Sequence, residues 1–254
     1  MPCRLLGGGF RFRRNGQGGI SVTDTETGFR PDLSVVMPCL NEEANLAFCV
    51  RQAQAYLAER GLNGEILVVD NGSTDRSAAI AASCGAVVVS EPRRGYGRAL
   101  RTGLERSSGD VIILGDCDST YDFRRLDPLY WPLAAGRADM MIGDRFAGQT
   151  ELGAMPLLHR LGVPLLSLCG RLRWHVRIRD FHCGLRGLSR SALERLELRT
   201  DGMEFATELI AEAARKSLRI GEVPVPLRKS RYARKPKLRT FRDGFRHLRY
   251  ILKS

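Results

Sequence analysis

Short apolar runs alternate with helix-period segments from residue 33 to residue 142, and this alternation restricts the chain to few architectures. The runs lie at 33–37, 65–69, 86–89, 111–114 and 139–142. Their length suits buried strands better than helices. Between them, 43–60 repeats Leu46, Val50, Ala53 and Leu57 on one helical face. Further helices are expected up to residue 83, with Ser73 or Thr74 as cap, at 97–107 and at 123–135. Strands that alternate with helices build a parallel sheet covered on both faces. The expected fold is therefore α/β, with a mostly parallel sheet flanked by helices.

Ligands of such sheets bind beyond the carboxyl ends of the strands. Polar residues gather there: Asn41 and Glu42 after the first run, Asp70 and Asn71 after the second, Asp116 and Asp118 after the fourth, and Arg145 after the fifth. Asp116 and Asp118 flank Cys117, so an extended backbone would turn both carboxylates to one side. Two adjacent carboxylates repel unless a cation or hydrogen bonds offset the charge. Hard oxygen ligands in this pattern suit Mg2+ or Mn2+ bridging to phosphate oxygens. Gly95-Tyr96-Gly97 precedes a helix, where backbone N–H groups can approach an anion, or simply form a tight turn.

Beyond residue 150 the pattern is more helical: 154–173 is mostly apolar at first and basic at its end, and 204–216 is a good helix former. Residues 218–225 read as an edge strand, stopped by Pro224 and Pro226. Charge is uneven. Residues 1–30 carry net +3, 31–227 carry −1, and 228–254 carry +10. The Gly-rich stretch 1–30 reads as a disordered leader, 31–227 as the α/β domain, and 228–254 as a basic tail. In that tail Phe241, Phe245, Leu248 and Leu252 form one helical stripe, with Arg242, Arg246, Arg249 and Lys253 one residue on. Paired apolar and basic stripes suit an anionic membrane surface. No apolar stretch is long enough to span a bilayer. Seven cysteines without a C-x-x-C pair point to a reducing compartment, and the expected location is the cytoplasmic face of a membrane.

Taken together, SVVMPCLNEEANL (34–46), ILVVDNGSTDRS (66–77), RRGYGRALRTGL (93–104), GDCDSTYD (115–122), IGDRF (142–146) and DFHCGLRGLSR (180–190) occur in a characteristic order. With EVPVPLRKSR and the tail behind them, they resemble family 2 glycosyltransferases of GT-A fold. The nearest branch is similar to the dolichyl-phosphate mannose or glucose synthases and their bacterial polyprenyl-phosphate relatives. The resemblance covers residues 33–252.

It implies an inverting hexosyltransferase that moves a sugar from a UDP-glucose or GDP-mannose type donor to a polyprenyl phosphate, with no nucleic acid as partner. Pro38, Asn41, Glu42 and Asp70 would line the base and ribose pocket, with Asn71 and Gly95 beside them. Asp116 and Asp118 would hold the metal on the donor diphosphate, and Thr120 occupies the position of a possible further ligand. Arg145, Asp180 and Arg186 would act near the acceptor, with Arg145, Arg186 and Arg231 meeting its phosphate. Two alternatives stand beside this one. A soluble hydroxyl acceptor such as a glycerate would need a base, for which Asp180 is one option. A basic nucleic-acid-binding module would use the tail alone.

Overall fold

The computed structural model describes residues 30–232 and 240–254. Residues 1–29, read above as a leader, and the side chain of Phe241 lie outside the described residues. The elements follow in the order β1 (Leu33–Cys39), α1 (Glu43–Arg60), β2 (Gly64–Asp70), α2 (Ser77–Ser83), β3 (Val87–Ser90), α3 (Tyr96–Arg106), β4 (Val111–Leu114) and α4 (Asp127–Ala134). Then come β5 (Met140–Asp144), α5 (Leu157–Trp174), β6 (Arg186–Ser189), α6 (Arg190–Leu193), α7 (Phe205–Arg215), β7 (Ile220–Pro224) and α8 (Thr240–Lys253).

The strands form one sheet in the order β3-β2-β1-β4-β6-β5-β7. All pairs are parallel except those made by β6, which runs against both β4 and β5. The chain reaches β6 through 175–185 at the carboxyl edge, where β4 and β5 end, so it must enter the sheet pointing back. Nothing in the apolar run length encodes that reversal. The central β4 is buried at all four residues, as are the inner positions of β1. Each such Val, Ile or Leu contributes about 1.5–3 kcal/mol of transfer free energy. Helix α1 stops at Gly61, whose left-handed backbone lets its N–H reach the carbonyls of Ala58 and Leu57.

Two local expectations are corrected. Helix α2 starts at Ser77 rather than at a Ser73 or Thr74 cap: those two residues are tied across to Asn41, and Asp75 takes the N–H and hydroxyl of Ser77 instead. Helix α4 starts at Asp127, with Pro128 in its first turn, rather than at Phe123. Helix α8 packs through Asp243, His247 and Ile251, which are buried, and leaves Phe245 and Leu252 of the apolar stripe exposed. Among the described residues no helix is long and apolar enough to cross a membrane.

Candidate active site

Strands β2 and β3 lie to one side of β1, and β4 to the other. The connection therefore reverses between β1 and β4, which opens a crevice at their carboxyl ends. Pro38 and Asn41 leave β1 at this point, and Asp116 and Asp118 leave β4. Cys117 between the two aspartates turns inward, its thiol 3.2 Å from the Pro38 carbonyl. Asp116 accepts a hydrogen bond from the Tyr96 hydroxyl at 3.0 Å. Burial, then the nearby Asp116 charge, pushes that phenol well up, so it is a neutral donor. Asp118 is buried and accepts from the backbone N–H and hydroxyl of Thr120, at 3.0 and 2.5 Å. Thr120 thus holds Asp118 in place.

The loops after β1 and β2 are laced together. The Asn41 N–H donates to Ser73 Oγ, and Asn41 Oδ1 accepts from the Thr74 N–H at 2.8 Å. Asp70 accepts from the Ser73 N–H at 3.1 Å. The guanidinium of Arg94 lies against Gly72: a Cβ on that glycine would stand 3.3 Å from Arg94 Nε. This places a cation beside the turn that follows β2.

Several expected ligand contacts go inward instead. Asn71 is buried and fully engaged: its amide donates to the carbonyls of Glu91 and Arg93 and accepts from the Gly95 N–H. It clamps the β3–α3 loop. The Gly95-Tyr96-Gly97 turn is not an anion cradle, because the N–H groups of Gly97 and Arg98 donate to the carbonyls of Gly202 and Asp201. Helix α3 is capped by another piece of backbone. A Cβ at Gly95, whose φ is 155°, would lie 2.2 Å from the Asp201 carbonyl oxygen. Gly95→Ala is expected to destabilise the protein by about 2 kcal/mol, read as a fall in the midpoint of chemical unfolding. Glu42 is also buried, receiving the Asn45 side-chain amide at 3.3 Å.

In the segment between α5 and β6, Asp180 is fully buried and grips Arg145 with both oxygens, at 2.6 and 2.8 Å. It also takes the N–H groups of Arg145 and His182. Its own N–H donates to Glu222 on β7 at 2.8 Å. Asp180 therefore positions Arg145 and is not placed to act as a base on a soluble hydroxyl. Arg186 is corrected as well. It is 2 % exposed, and its guanidinium donates to the carbonyls of Cys183, Phe181 and Ala206. With its donors engaged by the backbone, it anchors the 181–186 segment rather than meeting a phosphate. Arg231 is exposed and tied to the loop after β4. Its N–H donates to Ser119 Oγ at 2.9 Å, and its guanidinium covers the Phe48 ring at 4.3 Å.

Helix α8 packs against the 180–186 segment and α7. The rings of His182 and His247 meet edge to face at 4.3 Å, and His247 Nδ1 lies 2.8 Å from the Thr207 hydroxyl. Burial, then Arg186 and Arg246, lowers His247 to about 4. Burial, followed by His247 and Arg145, lowers His182 as well. Unfolded histidine titrates near about 6.5, so between there and about 4 the unfolded chain binds protons that the folded one excludes. Stability is complete above that window and falls as the solution is acidified through it. The Trp174–Tyr250 ring contact between α5 and α8 makes tryptophan fluorescence a local reporter. Acid release of α8 is expected there, with a weaker pH dependence in His247→Gln.

The model of glycosyl transferase family 2 matches residues 34–197. The chain belongs to glycosyltransferase family 2. It is 41% identical over 232 residues to the low-salt glycan biosynthesis hexosyltransferase Agl6 of Haloferax volcanii, covering 91% of this chain and 55% of that protein. The chain thus spans about half the length of that relative. It is 30% identical over 213 residues to a dolichyl-phosphate hexose transferase of the same organism, covering 84% of this chain and 89% of that one. Glucosyl-3-phosphoglycerate synthase from Mycobacterium tuberculosis, solved with Mn2+, UDP and glucosyl-3-phosphoglycerate, superposes with a TM-score of 0.70 at 24% identity. That match covers 87% of this chain and 79% of the other. It shows the GT-A fold. This family 2 glycosyltransferase carries its aspartate pair at the same sheet edge as Arg145 and Arg231. Tyr96, Asn45 and Ser119, which brace that pair and the Arg231 segment, were not legible as site residues. Only the two glycines around Tyr96 marked its position in the sequence.

Proposed function

We propose that the protein transfers a hexose from a nucleoside-diphosphate sugar to a polyprenyl phosphate, with inversion at the anomeric carbon. The observation that carries this reading is a carboxylate pair after β4, with Arg145 after β5 and Arg231 tied to Ser119 of the loop that carries the pair, in a chain similar along most of its length to a dolichyl-phosphate hexose transferase. Pro38, Asn41 and Asp70 offer polar and apolar surface for the base and ribose at the β1 and β2 ends. Arg94 adds a cation beside Gly72.

Asp116 and Asp118 have the hard oxygen donors that Mg2+ or Mn2+ requires, and each is fixed by a hydroxyl donor. Among the described residues no third carboxylate, imidazole or thiol completes a metal cage. A site of this kind fits a cation whose other ligands come from substrate phosphates. A divalent cation held there would stabilise the negative charge of the departing diphosphate.

The rest of the chemistry belongs to the chain's own groups. The bond from the anomeric carbon to the diphosphate oxygen breaks, and an oxygen of the acceptor phosphate bonds to that carbon from the other face. A phosphate monoester has a second pKa near about 6 and is largely dianionic at neutral pH, so no strong base is needed. What is needed is alignment of two anions, and cations to offset their repulsion. Arg145, held by Asp180, and Arg231, resting on Phe48, supply those charges. Asp180 is unsuited to deprotonate a soluble hydroxyl, which favours the phosphate acceptor.

The test is a screen of UDP- and GDP-sugars with Mg2+ or Mn2+, against detergent-dispersed polyprenyl phosphate and against 3-phosphoglycerate. Transfer to the lipid phosphate is expected. Transfer to 3-phosphoglycerate alone would overturn the acceptor assignment.

A further inference from the structure

Helix α5 is built inside out. Its buried residues are Ser167 and Gly170, and a Cβ on Gly170 would lie 2.5 Å from the Phe181 ring. The small side chains therefore face the domain and the leucines face away, the reverse of a helix that packs its apolar stripe on a core. Leu157, Leu161, Leu165 and Leu172 on α5, with Phe245 and Leu252 on α8, are each 64–74 % exposed. Of the twelve large hydrophobic side chains exposed among the described residues, six are on α5 and two on α8. The two helices are joined by the Trp174–Tyr250 contact and by the Arg173 hydrogen bond to the Ser254 carbonyl. Leu172 and Leu252 each stand two residues from the rings of that contact.

We propose that α5 and α8 together form a bilayer-docking platform, in which the α5 leucines enter the acyl boundary of an anionic membrane and the basic residues of both helices meet its headgroups. This deepens the lipid-acceptor reading above and rests on it for its purpose, though not for its physics. Charge selects the occupant. Helix α5 contains no Asp or Glu, and the single acid of α8, Asp243, is buried. Arg160 and Arg173 on α5, and Arg242, Arg249 and Lys253 on α8, are exposed. An apolar stripe rimmed only by cations complements anionic headgroups. A second copy of the chain would bring like-charged rims together. A helix with Pro164 inside it and arginines towards both ends lies in the interface rather than across it. The basic tail identified from sequence is then one half of the platform, and α5 is the half that inserts.

The experiment is flotation of the full chain with vesicles of phosphatidylcholine alone, or of equal parts phosphatidylcholine and phosphatidylglycerol. The wild type is expected to float with the anionic vesicles and much less with the neutral ones. Each leucine withdrawn from the acyl region is worth about tenfold in partitioning, so Leu161→Gln with Leu165→Gln should weaken binding about a hundredfold. Both positions are exposed, and unchanged circular dichroism and donor-nucleotide binding will show that the variant folds. Retained flotation of the double variant would overturn the proposal. So would a wild-type dimer in solution that becomes monomeric in the variant. Flotation needs no catalysis, so its failure is separable from failure of the acceptor assignment, which is read with detergent-dispersed lipid phosphate.

Discussion

Asp118→Asn is expected to lower turnover by about a hundredfold or more, the equivalent of about 2.7 kcal/mol of transition-state stabilisation. Asparagine keeps an oxygen that can accept the Thr120 N–H and hydroxyl, which Asp118 holds at 3.0 and 2.5 Å. The turn should therefore persist and the melting temperature should change little. What is lost is the negative charge that the proposed cation site requires. Asp118→Ala removes both, and should add about 1 kcal/mol of destabilisation as the Thr120 donors lose their acceptor. Turnover with saturating Mn2+ or Mg2+, alongside a melting curve, separates the two effects. Near-wild-type turnover in Asp118→Asn would reduce Asp118 to a turn residue and remove the metal from the proposed mechanism.

Asp180→Ala should produce the largest loss of stability, about 3–5 kcal/mol. The carboxylate is completely buried, and its two oxygens hold Nε and Nη2 of Arg145, whose side chain is itself only 14 % exposed. Removing it leaves a guanidinium in a low-dielectric pocket without its partner. For a domain of this size the melting temperature should fall by roughly 10 °C. Removing both charges, as Arg145→Met with Asp180→Leu, should recover much of that stability, because the penalty comes from the stranded charge. It should not recover transfer, if Arg145 meets the acceptor phosphate. Full activity in the stable double variant would show the pair to be structural only.

The same pair shows how unevenly the site was legible. Motif order singled out Asp180 and Arg145 as candidate site residues. That they are bonded to each other, across 35 residues of chain, could not be read from it. A carboxylate in a loop looks alike in sequence whether it meets water or a guanidinium. Asn71, Gly95 and Arg186 were misplaced for the same reason. Each is the right residue type for a ligand contact, but each has its hydrogen-bonding groups engaged within the protein: Asn71 by the Glu91 and Arg93 carbonyls and the Gly95 N–H, and Arg186 by the Cys183, Phe181 and Ala206 carbonyls.

The sequence by itself determined the alternation of strands and helices, the extent of α1 and the gathering of polar residues at the carboxyl ends of β1, β2, β4 and β5. It also determined the family, through the order of its motifs. These are local properties: apolar periodicity and turn chemistry act over a few residues, and a parallel sheet then brings the strand ends together. Only the tertiary structure decided that β6 runs backwards, that α3 is capped by the 201–202 carbonyls, and which faces of α5 and α8 are covered. An amphipathic pattern shows that a helix has two faces, but the neighbour it packs against decides which one is hidden. On α5 the close approach at Gly170 hides the small residues against Phe181 and leaves the leucines outside.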